Sequence, residues 1–86
     1  KLKKYCFTGE TKNHFGVTLR QIRALVTIVD VVSSGDVGGW IESEKCLDHN
    51  GDAWVSGNAW VYGDAWVSGN AWVYGDARVY GDARVY

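Results

Sequence analysis

Residues Gly51 to Tyr86 read GDAWVS, GNAWVY, GDAWVS, GNAWVY, GDARVY, GDARVY, one six-residue phrase written six times. In an extended chain successive side chains point to opposite faces. The Ala and Val of each phrase therefore share one face, from Ala53 and Val55 through to Ala83 and Val85. Trp, Arg, Tyr and Ser share the other. Each short strand is followed by Gly-Asp or Gly-Asn, a pair suited to a tight corner because Gly tolerates positive φ and Asp or Asn bonds to nearby backbone.

A strand of about four residues cannot hold a sheet alone, so strand-corner units must stack, and a six-residue period signals a parallel β-helix. Three units close one coil, with Ala and Val inside it. The run Val55-Ser56-Gly57-Asn58-Ala59, repeated through Val79-Tyr80-Gly81-Asp82-Ala83, resembles the hexapeptide-repeat family. The resemblance implies a left-handed coil of about eighteen residues, an exception to the usual right-handed crossover. Gly35-Asp36-Val37-Gly38-Gly39-Trp40-Ile41-Glu42 is also similar to hexapeptide-repeat proteins of bacteria and their phages, a group that brings no established catalytic residues. The expected fold is all-β: a short left-handed parallel β-helix over 39–86, regular from 51, with a β-rich cap over 1–38.

Residues 1–38 carry six Lys or Arg against three acids, whereas 39–86 carry three against seven, so a net charge of −1 divides into +3 and −4. The simplest use of that asymmetry is to hold the two parts of one domain together. A chain of 86 residues buries only about 60% of its unfolded surface, so every element must contribute. No apolar run is long enough to span a membrane and no signal-peptide core follows Lys1, which makes the cytoplasm the default location. Cys6 and Cys46 lie in no metal-like or CxxC spacing and read as free thiols.

In the N-terminal part, Lys3 to Thr8 alternates as a strand and Gly9 to Asn13 reads as a turn. Val17 to Leu25 mixes helical and extended signals, and the β-branched run Val26 to Val32 tips the whole segment toward strand. Ser33 to Gly35 and the pair Gly38-Gly39 are expected to break it. Counting back by sixes from Ala53 lands on Leu47 and Ile41, whose larger side chains suit the open top of the coil.

Many hexapeptide-repeat proteins are acyltransferases that use a His and a projecting loop. This chain offers only His14 and His49, outside the regular repeats, and no insertion between those repeats. No catalytic residue, cofactor or metal is assigned; His49 beside Asp48 and Asp52 lacks a second His. Nucleic acid is disfavoured because the repeats are net acidic.

The candidate interaction residues are the outward Trp54, Trp60, Trp66, Trp72, Tyr74, Arg78, Tyr80, Arg84 and Tyr86, residue types that dominate protein interfaces. An eighteen-residue coil stacks Trp54 on Trp72, Trp60 on Arg78, Trp66 on Arg84 and Tyr62 on Tyr80, so the same residues also serve as stiffening ladders. Since Tyr86 completes a phrase, the last coil is expected to expose an edge that another copy covers. The functional expectation is a non-enzymatic, self-associating β-helical interaction protein of phage or prophage origin, a homo-oligomer joined through residues 75–86. The alternatives are a phage-encoded inhibitor that binds a host defence protein or small signalling molecule, and a remnant or partner of a hexapeptide acyltransferase.

Overall fold

The computed structural model describes residues 3–86 and is built almost wholly of strands. An N-terminal hairpin pairs β1, Tyr5–His14, with β2, Val17–Ala24. Strand β3, Val37–Ile41, follows, then a single 3-10 turn over Glu44–Cys46. Six two-residue strands complete the chain: β4 Trp54–Val55, β5 Trp60–Val61, β6 Trp66–Val67, β7 Trp72–Val73, β8 Arg78–Val79 and β9 Arg84–Val85.

The short strands form three parallel ladders, each joining residues eighteen apart: Trp54 to Trp72, Trp60 to Arg78, Trp66 to Arg84. Every corner glycine from Gly51 to Gly81 has φ between 64° and 72°, backbone that an L side chain rarely adopts. Ala53, Val55, Ala59, Val61 and Val67 are fully buried, and Ala65, Ala71 and Val73 nearly so. The inward face is therefore the Ala-Val face. In the last coil Ala77 and Ala83 are exposed and Val79 and Val85 half-buried, because no further coil lies over them in this structure.

The central sheet runs β1-β2-β3-β5-β8 and fuses the N-terminal segment to one ladder. β3 pairs antiparallel with β2 on one side and parallel with β5 on the other. Gly38 and Gly39 thus lie inside a strand and do not break it. Their lack of a side chain is needed: a Cβ on Gly38 would stand 2.7 Å from Trp54 Cζ2 and from the Val55 carbonyl, and one on Gly39 would stand 2.6 Å from Val55 Cγ1.

Two other expectations for the N-terminal part are corrected. Gly9 to Asn13 continues β1 past a bulge between Phe7 and Thr11 and does not turn. The reversal falls instead at Phe15-Gly16, both at positive φ (48° and 86°), as a two-residue hairpin loop demands. Phe is an unusual first residue for such a loop, which concealed it. Val26 to Val32 is not a strand either; it forms turns closed by an isolated Ile28 to Val32 bridge.

Ile41 and Leu47 are fully buried at the top of the coil stack. They sit opposite Val61 and Val67, twenty residues on, so they occupy Val positions and not the Ala positions that counting by sixes assigns. Two extra residues account for the shift. Between Leu47 and Ala53 the chain reads Asp48-His49-Asn50-Gly51-Asp52, where a regular corner such as Ser56-Gly57-Asn58 has three residues.

Candidate interaction face and corner cleft

Outward residues eighteen apart pair in register as predicted, and two of these rungs set an arginine over an indole. Arg78 lies over the Trp60 ring at 3.9 Å and Arg84 over Trp66 at 5.8 Å, while Tyr62 and Tyr80 stack at 5.5 Å with their planes 14° apart. Lys12 of β1 lies 4.4 Å from the Trp40 ring and 5.9 Å from Trp60. Lys12 thus contacts both indoles and Arg78 lies over Trp60, contacts favoured by the negative ring faces. His14 meets Trp60 edge-on at 4.7 Å and so caps the same face from the hairpin tip.

The hairpin decides which outward residues reach solvent. Trp54 is fully buried beneath Tyr5, Ile22 and Gly38, so it is withdrawn from the contact residues; its Nε1 is the one buried side-chain polar atom without a partner among the described residues. Trp60 is half-buried between Lys12, His14 and Arg78. Trp66 and Trp72 are exposed at 37% and 46%, and Tyr74, Tyr80 and Tyr86 at 60%, 59% and 84%. Trp72 donates its indole N–H to Ser56 Oγ at 3.0 Å and packs against Tyr74 at 4.8 Å. Arg78 and Arg84 are exposed. The last coil thus carries Tyr on all three ladders, where the preceding coil has Ser56, Tyr62 and Ser68.

The longer corner at 48–52 makes the second feature. His49 Nδ1 accepts the Lys4 backbone N–H at 3.0 Å, which places the proton on Nε2, where it is donated to Glu44 Oε1 at 2.7 Å. The ring stacks on Tyr5 at 4.1 Å, and Tyr5 Oη donates to the Leu47 carbonyl at 2.6 Å. Burial, aided by the charge of Glu44, pushes the Tyr5 hydroxyl well above its ordinary range, so it stays a donor. The hydrogen bond from His49, assisted by Lys3 at 3.4 Å, holds Glu44 below the usual glutamate range. A carboxylate-imidazole pair with both ring nitrogens engaged has no basic nitrogen to offer a substrate. It fastens β1 to the corner.

Lys4 is buried, with Nζ 3.4 Å from the Gly51 carbonyl. Desolvation lowers its pKa, opposed by the nearby charges of Asp48 and Asp52. Across this junction Lys3 pairs with Glu44, and Lys4 lies near the charges of Asp48 and Asp52.

Beside the corner opens a cleft of about 310 Å³, walled by Trp66, Leu47, Asp48 and His49 and rimmed by Lys3, Glu44 and Lys45. Sequence reasoning excluded such a feature by looking for insertions among the regular repeats, and the extra pair falls just before them. The signal was present: Leu47 to Val55 is two residues longer than the Val-to-Val step of six.

Parallel two-residue strands stacked at a constant spacing, with small residues inside and glycine corners, define a β-solenoid repeat protein. Residues 53–69 and 59–75 match the model of a family described as YdcK Beta solenoid repeat. A search of curated proteins gave no match.

Proposed function

We propose that this chain is a non-enzymatic, self-associating interaction module: a left-handed, hexapeptide-type coil whose C-terminal coil meets a second copy of itself. The observation that carries the reading is the character of that coil. Around exposed Ala77 and Ala83 it gathers Trp72, Tyr74, Tyr80 and Tyr86 with Arg78 and Arg84, the residue types that anchor protein interfaces. The opposite end of the stack is covered by β3, Ile41 and Leu47, which leaves a head-to-tail contact no open coil to pair with. A two-fold, tail-to-tail contact closes on itself. Arg78, Arg84, Asp76 and Asp82 are all exposed on that coil, so two copies would meet with both signs of charge.

Light scattering across a wide concentration range tests this, with two variants as arms. Val85→Asp is expected to abolish association while leaving the circular dichroism spectrum intact. Trp60→Ala, within the capped ladder, is expected to lower the melting temperature without changing association. A monomer at every concentration sinks the proposal, and an oligomer indifferent to Val85→Asp moves the contact to another face.

A further inference from the structure

The ladders show what this protein stacks on its indoles, and one face of Trp66 is left without a rung. Trp60 has Arg78 over its ring at 3.9 Å, and on the β3 side Lys12 lies 5.9 Å from it, beside the paired Trp40. Trp54 is covered by Tyr5 and the β3 backbone. Trp66 has Arg84 on the side of the last coil. On its other side the register set by Leu47 and Val67 puts Cys46 opposite Trp66, and Cys46 is small, fully buried and part of the core. The rung that would lie over Trp66 is therefore missing, and the cleft occupies its place.

We infer that this cleft binds the side chain of an arginine presented by a partner polypeptide, its guanidinium stacked on Trp66 and facing Asp48. The inference concerns a site apart from the self-association surface. Three observations select this chemistry. The chain itself places guanidinium groups on Trp60 and on the opposite face of Trp66, so the indole geometry accepts a planar cation. Asp48 is half-buried in the wall near the charge of Lys4; its Oδ1 accepts the Asn50 N–H at 3.0 Å, and among the described residues Oδ2 accepts no hydrogen bond and can take one from a ligand. The cations of the rim, Lys3 and Lys45, are exposed, and Lys3 is paired with Glu44 at 3.4 Å rather than with Asp48.

The probe is N-acetyl-arginine amide, titrated against the folded chain while the indole N–H signals are followed by NMR. Shifts centred on Trp66 are expected, with an affinity on the order of 1 mM, since so small a ligand gains little per atom. Affinity is expected to fall about tenfold in Asp48→Asn, which keeps the acceptor for Asn50, and binding to vanish in Trp66→Leu. N-acetyl-tyrosine amide is the comparator. Equal binding of that neutral ring overturns the guanidinium assignment, and so does an unchanged affinity in Trp66→Leu or in folded Asp48→Asn. No shift at tens of millimolar overturns the site itself. Because the probe is followed on single chains, failure here leaves self-association standing, and a monomeric protein that binds the probe does the reverse.

Discussion

The Tyr5 hydroxyl reaches the Leu47 carbonyl at 2.6 Å across the junction of the N-terminal hairpin and the first coil. The bond is buried, and its ring lies flat on His49. Tyr5→Phe keeps the stacking and orphans a buried acceptor, so a loss of about 1–3 kcal/mol is expected. Urea denaturation followed by tryptophan fluorescence measures it. A loss below about 0.3 kcal/mol would mean that the bond adds nothing beyond packing.

Acid is expected to loosen the same junction through Glu44. Its carboxyl is held below the usual glutamate range in the folded chain. The stabilisation is therefore present above the unfolded carboxyl's pKa and is lost as pH falls through the folded one. Stability measured from pH 6 downward is expected to decline as the solution passes below the ordinary glutamate range, and less steeply in Glu44→Gln. Parallel curves for the two proteins would remove Glu44 from the acid response.

Gly38→Ala is expected to be among the most damaging small substitutions in the chain. The added methyl would meet Trp54 Cζ2, the Val55 carbonyl and Ile22 Cγ1, all within 2.8 Å, and a backbone oxygen cannot yield as a flexible side chain can. A cost of about 1–3 kcal/mol or more is expected, read as a fall in melting temperature. Gly35→Ala is the comparison for positive-φ strain without contact, since nothing lies within 4 Å there. An unchanged melting point in Gly38→Ala would show that β3 does not approach the coil this closely.

Phe15 offers the opposite sign. It is 95% exposed and sits at φ 48°, where Asn is more at ease than Phe. Phe15→Asn is expected to raise stability by about 1 kcal/mol, by easing the turn without disturbing the core. A lowered melting temperature would show that the His14 to Phe15 ring contact outweighs the backbone strain.

The repeat was legible because its physics is local and periodic. A six-residue phrase with Gly at each corner and Ala and Val on alternate positions can bury its small face only by stacking, and with the three-unit coil that the family resemblance implies this gives the eighteen-residue pairing of Trp60 with Arg78 and of Tyr62 with Tyr80. The N-terminal segment was less legible because its pattern is irregular. A hairpin loop occupied by Phe lacks the usual Asn-Gly mark, and Gly38-Gly39, read as punctuation, is a strand whose glycines answer to Trp54 and Val55 across the fold.

What the sequence by itself determined is the all-β repeat, its inward Ala-Val face and the order of the rungs. Tertiary structure alone decided which rungs remain in contact with solvent. Trp54 and Trp66 occupy equivalent places in identical phrases, yet one is sealed beneath Tyr5 and β3 and the other lines an open cleft. The difference arises from how the hairpin docks and where the two extra corner residues fall. Contacts between residues some forty to fifty positions apart, such as Tyr5 with Leu47, Lys4 with His49 and Tyr5 with Trp54, set that docking, and no local period encodes them.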